Sequence, residues 1–171
     1  MFKNIILTGF MGVGKTSVGT RLAKDLGYAF VDIDTLIEAD QKITITDIFS
    51  SFGEPYFRDV EARIIRQVLE GAEQVVSTGG GAVIREENRA AFKRNGITIC
   101  FTARPEVIFE RIKHETHRPL LQVPDPLERI RELLAARERF YRQADIIIDT
   151  SDMTVDGTIR EIKQKVRYAC C

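Results

Sequence analysis

The residues Gly9-Phe10-Met11-Gly12-Val13-Gly14-Lys15-Thr16 read G-x-x-x-x-G-K-T, the spacing of a loop that holds a polyphosphate. Glycines let the backbone curl so that successive N–H groups point at phosphate oxygens. A following helix adds about half a unit of positive charge at its N-terminus. Lys15 is then placed to reach the β- and γ-phosphates, and the Thr16 hydroxyl to ligate Mg2+. The plainer alternative is a glycine-rich strand-to-helix turn with a surface lysine. The loop points to a nucleoside triphosphate and leaves the phosphate acceptor open.

Further chain positions carry groups suited to an acceptor. Asp32-Ile33-Asp34 ends an apolar run. If the strand continued, both carboxylates would project to one side, beside the triphosphate and its metal. Asp34 could instead cap the next helix. Gly79-Gly80-Gly81 closes another run and permits close backbone approach to a substrate, or a flexible turn. Arg58 falls in line with Ala62, Ile65 and Leu69, which sets it over an apolar stripe. A guanidinium there suits a substrate carboxylate, with an i,i+3 pair to Glu61 as the alternative. Arg137 occupies a position on the stripe Leu127, Ile130, Leu134, Tyr141, and an inward charge needs a partner. That partner is an internal carboxylate or a bound anionic substrate, and the parallel with Arg58 favours the substrate. Arg118 sits in a stretch interrupted by Pro119, Pro124 and Pro126, where a continuous helix is precluded. It is read as the arginine of a lid that closes over the γ-phosphate, against an ordinary exposed loop arginine.

Five short apolar runs must carry these groups: Ile5 to Thr8, Tyr28 to Asp32, Gln74 to Thr78, Thr98 to Thr102 and Asp145 to Ile148-Asp149. They are apolar throughout rather than alternating, as expected of strands covered on both faces. Helical patterns separate them, so the expected fold is α/β with a parallel sheet. One of these helices is expected from about Pro55 to Leu69, another after the Asp125-Pro126 start signal, and a last one to about Arg167. Because the phosphate loop follows the first strand, the site belongs at the carboxyl ends of the strands. The turn from Asp149 to Thr154 is a place for an adenine ring to rest.

The 171 residues fit one domain, 1–171, with the lid at about 113–123. Basic and acidic residues balance at 25 each, which argues against a nucleic-acid or membrane-surface partner. No run approaches the roughly 20 apolar residues of a membrane span, and no secretory leader is expected at Met1-Phe2-Lys3. Cys100 reads as a core residue and the Cys170-Cys171 pair as a frayed tail, consistent with a cytoplasmic protein. No Asn-Lys-x-Asp guanine signature follows a late strand; the fourth run ends Thr102-Ala103-Arg104-Pro105.

Gly9 to Ser17, the Asp32-x-Asp34 pair, Phe57-Arg58 with Glu61, Gly79-Gly80-Gly81, Arg118-Pro119-Leu120-Leu121, and Arg137 followed by Tyr141 and Ala144-Asp145 together resemble shikimate kinase. The likeness runs through nearly the whole chain. It implies a phosphate-loop, nucleoside monophosphate kinase-like three-layer sandwich with sheet order 2-3-1-4-5, usually a monomer. It implies phosphoryl transfer from ATP to the 3-hydroxyl of shikimate, with ATP and Mg2+ required. It places the lid residue Arg118 on ATP, beside the phosphate-loop residues Gly12, Val13, Gly14, Lys15, Thr16 and Ser17 that the motif already points to. It assigns the metal site to Thr16 and Asp32, and shikimate to Asp34, Arg58, Gly80 and Arg137; Gly79 and Gly81, from the glycine run itself, are expected beside them. Lys15, Asp34 and Arg118 are the expected catalytic groups. Two departures stand out. Many relatives have Ser-Thr after the lysine where this chain has Thr16-Ser17, and Ser151 to Thr154 lack the basic residue some relatives carry. Another hydroxyl kinase, such as a gluconate kinase, is the nearest rival.

Overall fold

The computed structural model describes residues 3–114 and 123–169. Five strands form one parallel sheet: β1 (Asn4–Gly9), β2 (Ala29–Asp32), β3 (Gln74–Ser77), β4 (Ile97–Thr102) and β5 (Ile146–Asp149). Their order is β2-β3-β1-β4-β5, as expected, with β1 central. The helices are α1 (Lys15–Leu26), α2 (Ile33–Gln41), α3 (Ile45–Glu70), α4 (Glu86–Asn95), α5 (Pro105–Ile112), α6 (Pro126–Tyr141) and α7 (Val155–Ala169).

Period-two alternation sorts the strand residues into two cores. Ile5, Leu7, Val75, Ile99, Phe101 and Ile148 face one side, where they meet Val18 and Leu22 of α1, Ile108 and Ile112 of α5, and Ile159 and Ile162 of α7. Ile6, Val76 and Cys100 face the other, against Ile33 and Ile37 of α2, Ile48, Ile64, Ile65 and Leu69 of α3, and Phe92 of α4. Both faces of the central strands are therefore covered. This accounts for their unbroken apolar runs and makes the molecule a three-layer sandwich.

Strand ends lie within one residue of the sequence-based expectation, and the shifts have causes. The fifth run starts at Ile146 because the Asp145 carboxylate turns aside to accept from Thr98 N at 2.8 Å. The helix expected from Pro55 is the second arm of α3. The backbone breaks at Gly53 (φ 79°), so a shorter arm precedes it. Asp125 caps α6 by accepting from Glu128 N at 3.0 Å. Cys100 is fully buried, as expected of a core residue.

One expectation about β2 needs correction. The strand ends at Asp32 and α2 begins at Ile33, so strand alternation does not set the relation of the two carboxylates. The capping role also falls to Asp32 rather than Asp34. Asp32 Oδ1 accepts from Asp34 N at 3.1 Å and from Thr35 N at 3.3 Å. A cap must sit in extended geometry just outside the helix, and Asp32, with φ −105° and ψ 118°, is the residue that does.

Candidate functional site

The loop between β1 and α1 turns through Gly12 (φ 74°) and Gly14 (φ 96°), a left-handed region that other residues enter only with strain. Val13 is buried, and Thr16 and Ser17 are exposed at the first turn of α1. Lys15 is buried and folds back, its Nζ donating to Gly9 O at 2.8 Å and Phe10 O at 2.7 Å. Thr16 Oγ1 donates to Asp32 Oδ2 at 3.4 Å. A hydroxyl and a carboxylate thus meet at the mouth of the loop, where hard oxygen ligands suit Mg2+. Among the described residues no cluster of three or more His, Cys, Asp or Glu is placed to hold a metal.

The three glycines after β3 lie between this loop and the side chains of Asp34, Glu61 and Arg58. They are not a slack turn, because each lies against a specific neighbour. A Cβ on Gly79 would stand 2.9 Å from Glu61 Oε1 and 3.0 Å from Asp34 Oδ1. One on Gly80 would stand 3.4 Å from Gly9 O and 3.5 Å from Met11 N, in the phosphate loop itself. One on Gly81 would fall onto the Arg58 guanidinium.

Arg58 comes from the second arm of α3, where Ala62, Ile65 and Leu69 are buried beneath it. Its side chain is 13% exposed, and it pairs with Glu61 at 2.7 Å and Glu54 at 3.1 Å. The i,i+3 alternative is therefore realised in this state, on the same arginine that faces Gly81. Glu61 is fully buried. Burial pushes its carboxyl up to about 7, with the Arg58 cation opposing the rise and Asp34 adding to it. Arg137, on α6, is half-buried with its guanidinium 5.6 Å from the Phe10 ring centroid. One turn on, Tyr141 donates from its hydroxyl to Gly80 O at 2.7 Å. Burial raises the Tyr141 phenol to about 12, so it remains a donor at neutral pH.

Asp34, Arg58, Arg137 and the three glycines are thus gathered at one edge of the sheet, beside Lys15, Thr16 and Asp32. Arg118 and His117 lie outside the described residues. His114 is exposed. Two groups were not singled out by the sequence. Arg111, in the last turn of α5, donates to Gly12 O at 3.2 Å and to Thr150 O at 2.7 Å. Thr150, just after β5, is buried against Val13 O. The rule that residues following each strand face the site would have found Thr150; no motif marks Arg111. The turn after β5 also has a basic neighbour from elsewhere, since Arg104 pairs with Asp152 at 2.7 Å.

A family model described as shikimate kinase matches residues 11–167. The chain belongs to the shikimate kinase family. Its activity is that of an ATP-dependent shikimate kinase, a transferase of aromatic amino acid biosynthesis. The chain is 49% identical over 160 residues to a shikimate kinase of Thermodesulfovibrio yellowstonii, covering 94% of this chain and 92% of that protein. The solved structure of a shikimate kinase from Acinetobacter baumannii in complex with shikimate superposes with a TM-score of 0.93 at 36% identity, over 99% of this chain and 95% of that one. A gluconokinase from Sinorhizobium meliloti aligns at 19% identity with a TM-score of 0.57, over 93% of this chain and 88% of that one, a likeness of fold alone. No helix among the described residues is long and apolar enough to cross a membrane.

Proposed function

We propose that this kinase holds shikimate between Arg58 and Arg137, with Asp34 at the attacking 3-hydroxyl and Gly79, Gly80 and Gly81 as the wall beneath. The observation that carries this reading is Gly80. It packs against Gly9 and Met11 of the phosphate loop on one side and accepts the Tyr141 hydroxyl on the other. Gly80 thus borders the phosphate loop and, through Tyr141, is tied to the helix that carries Arg137, and this closeness of donor-side and acceptor-side groups supports direct transfer.

The two guanidiniums pair with the substrate carboxylate, Arg58 giving up part of its contact with Glu61. Asp34 accepts a hydrogen bond from the hydroxyl and orients it for in-line attack on the γ-phosphate. Lys15 leaves the Gly9 and Phe10 carbonyls for phosphate oxygens, where it neutralises charge spread over the transferred group. The loop from Gly12 to Ser17 cradles the remaining phosphates. Thr16 and Asp32 would hold Mg2+, directly or through its water; the ion supplies charge neutralisation on the phosphates. Arg118, on a lid spanning about residues 113–123, adds a second cation and excludes water as a competing acceptor. A cytoplasmic monomer is part of the same proposal, with the cysteine usage as the support for the compartment.

The test is ADP release from Mg·ATP with shikimate, gluconate or nucleoside monophosphates as parallel acceptors. Strong stimulation by shikimate alone is expected. Stimulation by another acceptor in its place would overturn the roles given to Asp34, Arg58 and Arg137.

A further inference from the structure

Two consecutive carbonyls of the phosphate loop are held from outside by residues that lie far away in sequence. Arg111 Nη1 donates to Gly12 O at 3.2 Å. Thr150 Oγ1 lies 3.0 Å from Val13 O and 3.1 Å from Thr102 O. A hydroxyl has one proton, and Thr102 O already accepts from Thr150 N at 2.8 Å. We assign the hydroxyl proton to Val13 O, the shorter contact, while the oxygen accepts from Arg111 Nη1 at 3.3 Å. The result is a directed chain from Arg111 through the buried Thr150 hydroxyl to Val13.

Peptide planarity turns this chain into a statement about phosphate binding. In a trans peptide the C=O and the following N–H point in opposite directions. Holding Gly12 O outward aims Val13 N–H inward, and holding Val13 O outward does the same for Gly14 N–H. Successive inward N–H groups are what makes such a loop an anion cradle. The glycines on either side of Val13 have backbones free to rotate away from this arrangement, so the loop's own sequence does not impose it.

We infer that Thr150, supported by Arg111, is a positioning residue that sets the phosphate loop's N–H groups for the β-phosphate of the nucleotide. The inference rests on the nucleotide reading of the loop. Thr150→Val keeps the shape and removes the hydroxyl, and Thr150→Ser keeps the hydroxyl. ADP and shikimate affinities are measured by calorimetry and adenosine affinity by competition, with a melting curve for each variant. Thr150→Val is expected to weaken ADP about fivefold to tenfold, the size of one lost hydrogen bond. Adenosine and shikimate affinities stay at wild-type level, and Thr150→Ser restores ADP binding. Unchanged ADP affinity in Thr150→Val overturns the inference. So does equal weakening of ADP and adenosine, which would mean a distorted adenine turn, or a serine variant as weak as the valine one. If Thr150→Val does not fold, Thr150→Ala removes the same hydroxyl and carries the same expectations. A wild-type protein that fails to bind ADP would overturn the nucleotide reading itself, a separate result.

Discussion

Arg58 Nη1 donates to Glu61 Oε2 at 2.7 Å, across one turn of α3, and the carboxylate it meets is fully buried. The arginine proposed to hold the substrate carboxylate is thus anchored by a group that water does not reach. The second oxygen, Glu61 Oε1, has no hydrogen-bond partner among the described residues and lies beside Gly79. The anchor costs stability when it is charged and positions Arg58 when it is paired.

The cost predicts a pH effect on folding. Burial raises the Glu61 carboxyl from its ordinary 4.5 to about 7. Between those values the folded chain binds more protons than the unfolded one, so stability falls as pH rises through that window and levels off above it. Glu61→Gln removes this component. Denaturant midpoints of wild type and Glu61→Gln at about pH 5 and about pH 8 check it. The wild type should lose more on going to the higher pH, and parallel losses would contradict the assignment.

Removing the cation tests both of its roles. Arg58→Ala should raise the shikimate KM about tenfold or more, the worth of a charge-assisted contact, with the ATP KM unchanged. It should also lower the melting temperature, because Glu61 is left buried without its counter-charge. An unchanged shikimate KM would remove Arg58 from the substrate site.

Gly81 offers a gentler probe of the same arginine. A methyl group there would fall onto the Arg58 guanidinium, whose flexible end can shift aside. Gly81→Ala should therefore raise the shikimate KM about threefold to tenfold through misplacement, leaving ATP saturation as it was. Steady-state kinetics with each substrate varied separately read this out. A rise in the ATP KM of equal size would mean that the whole wall had moved.

Lys15 should separate fold from turnover. In this state it donates to Gly9 O and Phe10 O, carbonyls just before it in the chain. Lys15→Ala should cut kcat at least about a hundredfold by removing a cation from the transferred phosphate, while circular dichroism and the melting temperature stay near wild type. Retained turnover would exclude the role proposed for it.

The phosphate loop and the parallel character of the sheet were legible because both leave short-range patterns, whereas the strand order was expected only from the family resemblance. The loop is one contiguous stretch, and a buried parallel strand announces itself as an apolar run. That Arg58 and Arg137 are drawn in from solvent was legible for a related reason: a charge on an apolar helical stripe is a local irregularity. The extended continuation of β2 past Asp32 was misread at the same scale. A cap and a strand end look alike in sequence, and only the start of α2 at Ile33 makes Asp32 the cap.

What joins the parts was decided by tertiary structure alone. Val13 and Thr150 meet because β4 lies between β1 and β5, and the Tyr141 hydroxyl reaches Gly80 only because α6 crosses that edge of the sheet. Such contacts are set by layer packing between segments distant in the chain. A residue type and its neighbours specify which hydrogen bonds a group can make. The fold specifies which partner arrives, and that choice turned a buried threonine and an exposed-looking arginine into holders of the phosphate loop.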